Sequence, residues 1–168
     1  EETAGELHDR LADIGSRLLV KTLILLAQGR VEPQKQDESM VSYAPLLTPK
    51  DEIINWNRGA FEIVNHIRGM NPWPGVYTKL NGRILKIWRA KVYDEESVLD
   101  VPGKVVDFVE EGFVVQTGRG QVVVVEVQPE GKSKMSASNF IIGRNIEKGQ
   151  ILGRESGNSS GTGDSNEG

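Results

Sequence analysis

The stretch that decides the fold is Val76-Tyr-Thr-Lys-Leu80, Asn81-Gly82, Arg83-Ile-Leu-Lys-Ile-Trp-Arg-Ala-Lys91. An Asn-Gly pair between two runs rich in β-branched and aromatic residues predicts a β-hairpin with a two-residue turn. Alternation assigns one face of the second strand to Leu85, Ile87 and Arg89, and the other to Ile84, Lys86, Trp88 and Ala90. Lys86 and Arg89 therefore lie on opposite faces unless a β-bulge intervenes.

The two-residue period continues beyond this hairpin. Three further strands are predicted at residues 104–109, 113–117 and 121–128, separated by glycine-containing turns, and a short helix is predicted at residues 136–142. Five closely spaced strands with one helix are typical of a small closed β-barrel of the oligonucleotide-binding type. A plain five-stranded meander is the alternative.

The first part of the chain has a helical period instead. Thr3 and Glu6 fit a capping box, and a helix is predicted to run from there to a stop at Gly29. Its apolar stripe consists of Leu7, Leu11, Ile14, Leu18, Thr22 and Leu25. Such a stripe cannot be buried by one helix alone, so it should pack against another part of the protein.

The segment that follows has no period and carries Pro33 and Pro45, so we predict an extended linker at residues 30–48. A helical turn should begin at Pro49, and Asn57 should cap a second helix that ends near Gly69. The fold class is therefore α+β, with the barrel domain at residues 49–154. The Gly- and Ser-rich residues 155–168 predict a disordered tail.

Composition excludes several classes of protein. The chain of 168 residues contains no cysteine, which excludes disulfide scaffolds, cysteine nucleophiles and thiolate metal sites, and favours a reducing, cytoplasmic location. It has no apolar run approaching the roughly 20 residues of a membrane span, so no membrane partner is expected. The net charge of −4 is unevenly distributed, since residues 49–154 carry 15 basic and 13 acidic side chains, net +2. Binding to nucleic acid would therefore need a local basic face.

Catalytic patterns are also absent from the sequence. His8 and His66 fall in predicted helices, with no second ligand at metal-binding spacing, so no metal site is expected. Neither a nucleophile elbow nor a phosphate-binding loop occurs. Binding is the remaining kind of function.

Candidate binding residues fall into a basic set and one aromatic. The basic set lies on the first hairpin and near the last helix and consists of Lys79, Arg83, Lys86, Arg89, Lys132, Lys134 and Arg144. Basic groups beside aromatics can combine phosphate contacts with base stacking. Trp73 stands between Pro72 and Pro74. Its indole is interpreted as a structural plug at the bottom of the barrel, and an aromatic platform at a ligand surface is the alternative.

A set of short motifs makes the chain resemble the C-terminal part of the methionyl-tRNA formyltransferase family. The motifs are Thr3-Ala-Gly-Glu-Leu-His-Asp-Arg-Leu11, Ser42-Tyr-Ala-Pro45, Asn71-Pro-Trp-Pro-Gly-Val-Tyr-Thr78, Leu85-Lys-Ile-Trp88, Gln128-Pro-Glu-Gly-Lys132 and Met135-Ser-Ala-Ser-Asn-Phe140. They occur in the family's order and at its spacing, from about residue 2 to 153. As a set they are highly specific, although each alone is weak.

The resemblance implies that the parent protein uses 10-formyltetrahydrofolate to formylate the methionyl group of initiator methionyl-tRNA. It implies that residues 1–29 are the last helix of a missing N-terminal catalytic domain, and that the barrel helps to hold the tRNA. The family's catalytic Asn, His and Asp lie upstream of these motifs, so we expect this chain to carry no catalytic residue, to bind no cofactor and to be inactive alone. The chain departs from the family at Leu46, where many members have lysine, and at Asn55, Ser133 and Asn139.

Two alternatives of a different class stay open. The chain could be the C-terminal barrel of a related small-molecule formyltransferase, or of a formyltetrahydrofolate hydrolase or dehydrogenase. In either case it would only brace the catalytic domain.

Overall fold

The computed structural model describes residues 2–154, so the tail predicted at residues 155–168 lies outside the described part of the chain. The chain begins with helix α1 (Ala4–Ala27), and α2 (Ala60–Gly69) precedes the strands. The strands are β1 (Val76–Leu80), β2 (Arg83–Asp94), β3 (Val105–Val109), β4 (Gly112–Gln116), β5 (Gln121–Pro129) and β6 (Met135–Ser136). Helix α3 (Ala137–Ile142) follows β6 directly.

Within residues 2–154 the six strands form one antiparallel sheet in the order β1-β2-β5-β4-β3, and β6 also pairs with β5. The α+β class is confirmed. The predicted barrel is not closed, because β1 and β3 lie at opposite ends of this order. A plain meander is wrong as well, since β2 pairs with β5 rather than with β3. Alternation predicts individual strands, but it carries no information on which distant strands meet.

The local signals for the first helix and the first hairpin are confirmed, whereas that for the start of α2 is not. Thr3 and Glu6 form the capping box of α1, with the Thr3 N–H donating to Glu6 Oε2 at 2.8 Å. Asn81 and Gly82 both have positive φ, as a tight hairpin turn requires. The α2 cap was predicted wrongly, because Gly59 precedes the helix and the Asn57 N–H is bonded to Asn55 instead.

The core lies between α2, α3 and one face of the sheet. Ile63 and Ile67 of α2 pack with Ile87 and Val124 in a single buried cluster, to which α3 adds Phe140. Strand β4 is buried along its whole length. This explains why its sequence is almost continuously apolar rather than alternating.

Helix α1 contributes nothing to this core. No residue of Ala4–Ala27, all of which is described, is buried. Its attachment is near its N-terminus, where the Gly5 N–H donates to the Asn71 carbonyl at 3.0 Å. Residues 30–48 are mostly exposed and include the 3-10 helix Glu38–Met40. The domain boundaries given above stay predictions.

The loop after β2 contains an acid-sensitive contact. The Asp94 carboxylate accepts hydrogen bonds from the Ser97 N–H at 2.6 Å and the Glu96 N–H at 2.9 Å. These bonds, that from Ser97 first, hold the pKa of Asp94 below its ordinary value. A carboxylate with a lowered folded-state pKa stabilises the fold above its unfolded pKa, and this stabilisation is lost as the pH falls through the folded pKa.

We therefore expect Asp94→Asn to reduce the loss of stability on acidification. The measurement is the shift in urea midpoint between neutral pH and about pH 3, which spans the carboxylate range. The control is Glu95→Gln, whose carboxylate accepts no hydrogen bond within residues 2–154. A wild-type acid shift in Asp94→Asn would contradict the assignment.

Candidate nucleic-acid interface

Lys86 and Arg89 lie on the same side of β2, because the regular alternation is interrupted between them. Ile87 and Ala90 are both in the core cluster although they are three residues apart. The pairing with β5 shifts register between Ile87 and Arg89 and again between Arg89 and Ala90. Each basic residue thus directly precedes a core-facing residue. The alternation of β2 was expected to place Lys86 and Arg89 on opposite faces unless a β-bulge intervened. An irregularity of this kind is present between them.

Lys79 shares this outward side of the sheet. Lys79 pairs with Ile84, and Tyr77, two residues earlier on β1, pairs with Lys86. Thr78, which lies between Tyr77 and Lys79 and points to the opposite face, is buried. Arg83 is exposed at the hairpin turn. The Glu130 N–H donates to the Ile84 carbonyl at 3.1 Å, which brings the β5–β6 loop, with Lys132 and Lys134, to the same end of the sheet.

A buried indole joins two of these lysines. The Trp88 side chain is 7% exposed, and its ring has the Lys134 ammonium 3.5 Å from its centroid and the Lys86 ammonium at 5.5 Å. Its Nε1–H donates to Gln128 Oε1 at 3.0 Å, and the Gln128 amide donates to the Lys132 carbonyl at 2.9 Å. We call Lys86, Trp88 and Lys134 the lysine–indole cluster.

Gly75 makes room for the Trp88 ring. A Cβ at Gly75 would lie 2.8 Å from Cη2 of the indole, and the φ of 83° also favours glycine there. At the same corner, Lys86 Nζ donates to the carbonyl of the neighbouring Pro74 at 3.2 Å. The alternation of β2 did not predict that Trp88 would be the buried indole that positions these lysines. Gly75 and the spacing of Lys86 and Trp88 were the signals in the sequence from which it could have been inferred.

The structure overturns the interpretation of Trp73 as a plug. Its side chain is 82% exposed, and the indole that packs on this corner belongs to Trp88. Two flanking prolines restrict the backbone, but they do not decide toward which side the intervening side chain points.

Ion pairing separates the basic residues into two groups. Lys91, Lys104 and Arg119 form salt bridges of 2.6 Å with Glu111, Asp100 and Glu96, and Lys148 pairs with Asp107. Within residues 2–154 no salt bridge involves the two lysines of the cluster, nor Arg83, Arg89, Lys132 or Arg144. None of these side chains therefore has a carboxylate oxygen within salt-bridge distance in the described part of the chain.

Arg89 and Arg144 differ from the lysines in their surroundings. Arg89 lies in a groove with Glu2 and Glu6 of the α1 end, and it also faces Glu126 across the sheet. Arg144 follows α3 with a φ of 52°, and no described contact joins it to the cluster. The structure therefore brings Lys79, Arg83, Lys86, Lys132 and Lys134 to one end, and leaves Arg144 apart.

His66 makes a structural contact, whereas His8 is exposed and contacts its neighbour Asp9. His66 Nε2 lies 2.6 Å from the Asp51 carbonyl, which ties α2 to the preceding 3-10 helix Pro49–Glu52. Among the described residues no group of three histidine or carboxylate side chains is arranged to hold a metal ion. The helices within residues 2–154 include none with both the length and the apolar content that crossing a bilayer requires.

Comparison with known proteins places these features in a family. The family described as "Formyl transferase, C-terminal domain" matches residues 46–145. Methionyl-tRNA formyltransferase of Pelotomaculum thermopropionicum is 47% identical over 91% of this chain and 49% of its own length. That of Moorella thermoacetica is 48% identical over the same shares of the two chains. The chain thus spans about half the length of the curated relatives it matches.

A solved structure shows the same fold at much lower sequence similarity. A variant of HypX from Aquifex aeolicus superposes with a TM-score of 0.57 at 18% identity, covering 77% of this chain and 23% of that one. This likeness supports the fold alone. Because the family match covers more than half of the chain, the chain belongs to the family of formyl transferase C-terminal domains, which residues 46–145 match.

Proposed function

We propose that this chain is the tRNA-binding C-terminal part of a methionyl-tRNA formyltransferase. The whole protein would transfer a formyl group from 10-formyltetrahydrofolate to the methionyl group of initiator tRNA in the cytoplasm, in preparation for translation initiation. The identity of 47–48% to enzymes of that name supports the activity of the parent. The observation that carries the binding role is the lysine–indole cluster, whose two lysines form no salt bridge within residues 2–154, with Lys132 in the same loop as Lys134.

Phosphate binding suits this end of the sheet for an electrostatic reason. An ammonium that already pairs with a carboxylate gains little from a phosphate, whereas Lys86 and Lys134 have only an indole face and a carbonyl as described partners. Their positions are set by the buried Trp88, so less side-chain freedom is lost on binding. Contacts of this kind release counterions and are independent of base sequence.

The exposed apolar stripe of helix α1 indicates a second binding partner within the parent protein. The apolar stripe of this helix includes Leu11, Ile14 and Leu18, each at least half exposed. We infer that this stripe packs against the catalytic domain, since a single exposed stripe of this length is otherwise costly in water. The same stripe favours the alternative in which the chain only braces that domain.

The test is a titration of the chain with initiator tRNA at several salt concentrations, using Lys86→Gln and Lys134→Gln. We expect each variant to weaken binding and to lower the slope of log K against log salt by about one unit. The matched control is Lys91→Gln, which removes the same charge from the same strand but from a side chain that is paired with Glu111.

A salt-independent affinity, or no binding at low salt, would contradict tRNA binding and favour the bracing role. Equal effects of all three substitutions would show that net charge, rather than the cluster, determines binding. An elongator tRNA should bind about as well as the initiator, because backbone contacts carry no base readout.

A further inference from the structure

Trp73 is the exposed one of the three tryptophans. Its side chain is 82% exposed, whereas Trp56 and Trp88 are 5% and 7% exposed. Pro72 precedes it and Pro74 follows it, and both restrict the backbone that carries the indole. Gly75, at the end of this corner, is packed under the Trp88 ring. The Trp73 indole is therefore exposed to solvent on a backbone segment of restricted conformation.

The same corner holds the lysine–indole cluster. Lys86 Nζ donates to the carbonyl of Pro74, the residue next to Trp73. Lys86 and Lys134 both lie over Trp88, which packs on Gly75 two residues beyond Trp73. The exposed Trp73 therefore belongs to the same corner as two ammonium groups without carboxylate partners, one residue from the Pro74 carbonyl that Lys86 contacts.

We propose that Trp73 and the lysine–indole cluster form one site for an unpaired nucleotide, in which the base stacks on the Trp73 indole and the adjoining phosphates contact Lys86 and Lys134. The site rests on the proposed tRNA-binding function and specifies which structural feature of the RNA it recognises. Stacking is tolerant of base identity because every base has a π-face, so the site distinguishes unpaired from paired nucleotides.

A nucleotide fits this surface better than an apolar protein segment does. An apolar partner would cover the indole, but it would also bury the two neighbouring ammonium groups without offering them a charge, which is costly. A phosphodiester chain supplies a base face and negative charge together, so it can satisfy both the indole and the ammonium groups. Docking of a protein segment on Trp73 is retained as an outcome of the test.

The first measurement compares RNA of two kinds, using the full 168-residue chain. A single-stranded oligonucleotide and a blunt duplex of the same length are titrated against wild type, Trp73→Ala and Trp73→Phe. We expect Trp73→Ala to weaken single-strand binding about tenfold or more, Trp73→Phe to retain most of it, and duplex binding to change little. The control is Leu99→Ala, which shortens an apolar side chain that is 78% exposed on another loop.

The second measurement uses the tryptophans themselves. Acrylamide should quench mainly Trp73, because the other two indoles are buried, and Trp73→Phe should remove most of this quenching. Saturating single-stranded RNA should protect the quenchable fraction. Intact tRNA compared with tRNA trimmed of its unpaired 3′ nucleotides then separates the two sources of an unpaired base, the 3′ end and the loops.

The outcomes distinguish this site from the proposed function. If tRNA binds with a salt slope that depends on Lys86 and Lys134 but Trp73→Ala changes neither affinity nor protection, the nucleotide site is wrong and the tRNA-binding role stands. If Trp73→Ala weakens duplex and single strand equally, stacking is wrong. If no RNA binds, both proposals fail, and protection of Trp73 by the separately added catalytic half would assign it to a protein contact.

Discussion

Replacement of Trp88 with alanine is expected to lower the free energy of unfolding by about 3–5 kcal/mol, the range for buried aromatic truncations. The indole is almost fully buried, packs on Gly75 and donates a hydrogen bond to Gln128. Its removal leaves a cavity and also leaves the Gln128 side chain without one partner. Urea unfolding at neutral pH measures the change.

A second readout separates the role of Trp88 in folding from its role in binding. Because Lys86 and Lys134 both lie over this ring, Trp88→Ala should also weaken tRNA binding under conditions where the variant is still folded. Trp73→Ala is the matched control for stability, since it removes the same side chain from an exposed position and should leave unfolding almost unchanged. A loss of less than about 1 kcal/mol in Trp88→Ala would contradict the packing argument.

Replacement of Gly112 with alanine is expected to cost about 3 kcal/mol or more, at the upper end for overpacking. A Cβ at this position would lie 1.8 Å from the Val124 carbonyl oxygen and 2.9 Å from the Ala137 side chain. The clash with Val124 cannot be relieved by a rotamer change, because its oxygen belongs to the backbone. Relief requires β4 to move away from β5, with which it pairs through Phe113 and Val124.

Gly69→Ala is the control for this second variant. Gly69 ends α2, and a Cβ there meets nothing within 4 Å, so its replacement should be neutral or slightly stabilising. Thermal or urea unfolding of both variants measures the difference. Equal midpoints for Gly112→Ala and wild type would show that the sheet can absorb the extra methyl group.

The strands were predictable to within a few residues, because each is bounded by a turn whose chemistry is local. The hairpin turn depends on only two residues, Asn81 and Gly82. The capping box of α1 depends on Thr3 and Glu6, which lie within one four-residue segment. The two-residue strand Met135–Ser136 was not predicted, since it is too short to show a period and exists only by pairing with β5.

The candidate interface was predictable in composition but not in arrangement. Lys86 was identified on the first hairpin and Lys134 near the last helix, but they are 48 positions apart, and the sequence does not show that they meet on one indole. The burial of Trp73 was predicted wrongly, since Trp73 is exposed and the buried indole at this corner is that of Trp88. Rigid flanking residues do not determine burial, which depends on what packs opposite.

The sequence by itself determined the α+β class, the hairpin turn, the capped first helix and the family, because each depends on residues that are close in the chain or on a fixed order of motifs. Only the tertiary structure decided the pairing of β2 with β5, the irregularity that brings Lys86 and Arg89 to one side, and the meeting of two lysines over Trp88. These features arise from contacts between segments far apart in sequence. Such contacts form only where the packing of the whole core makes them more favourable than the alternatives.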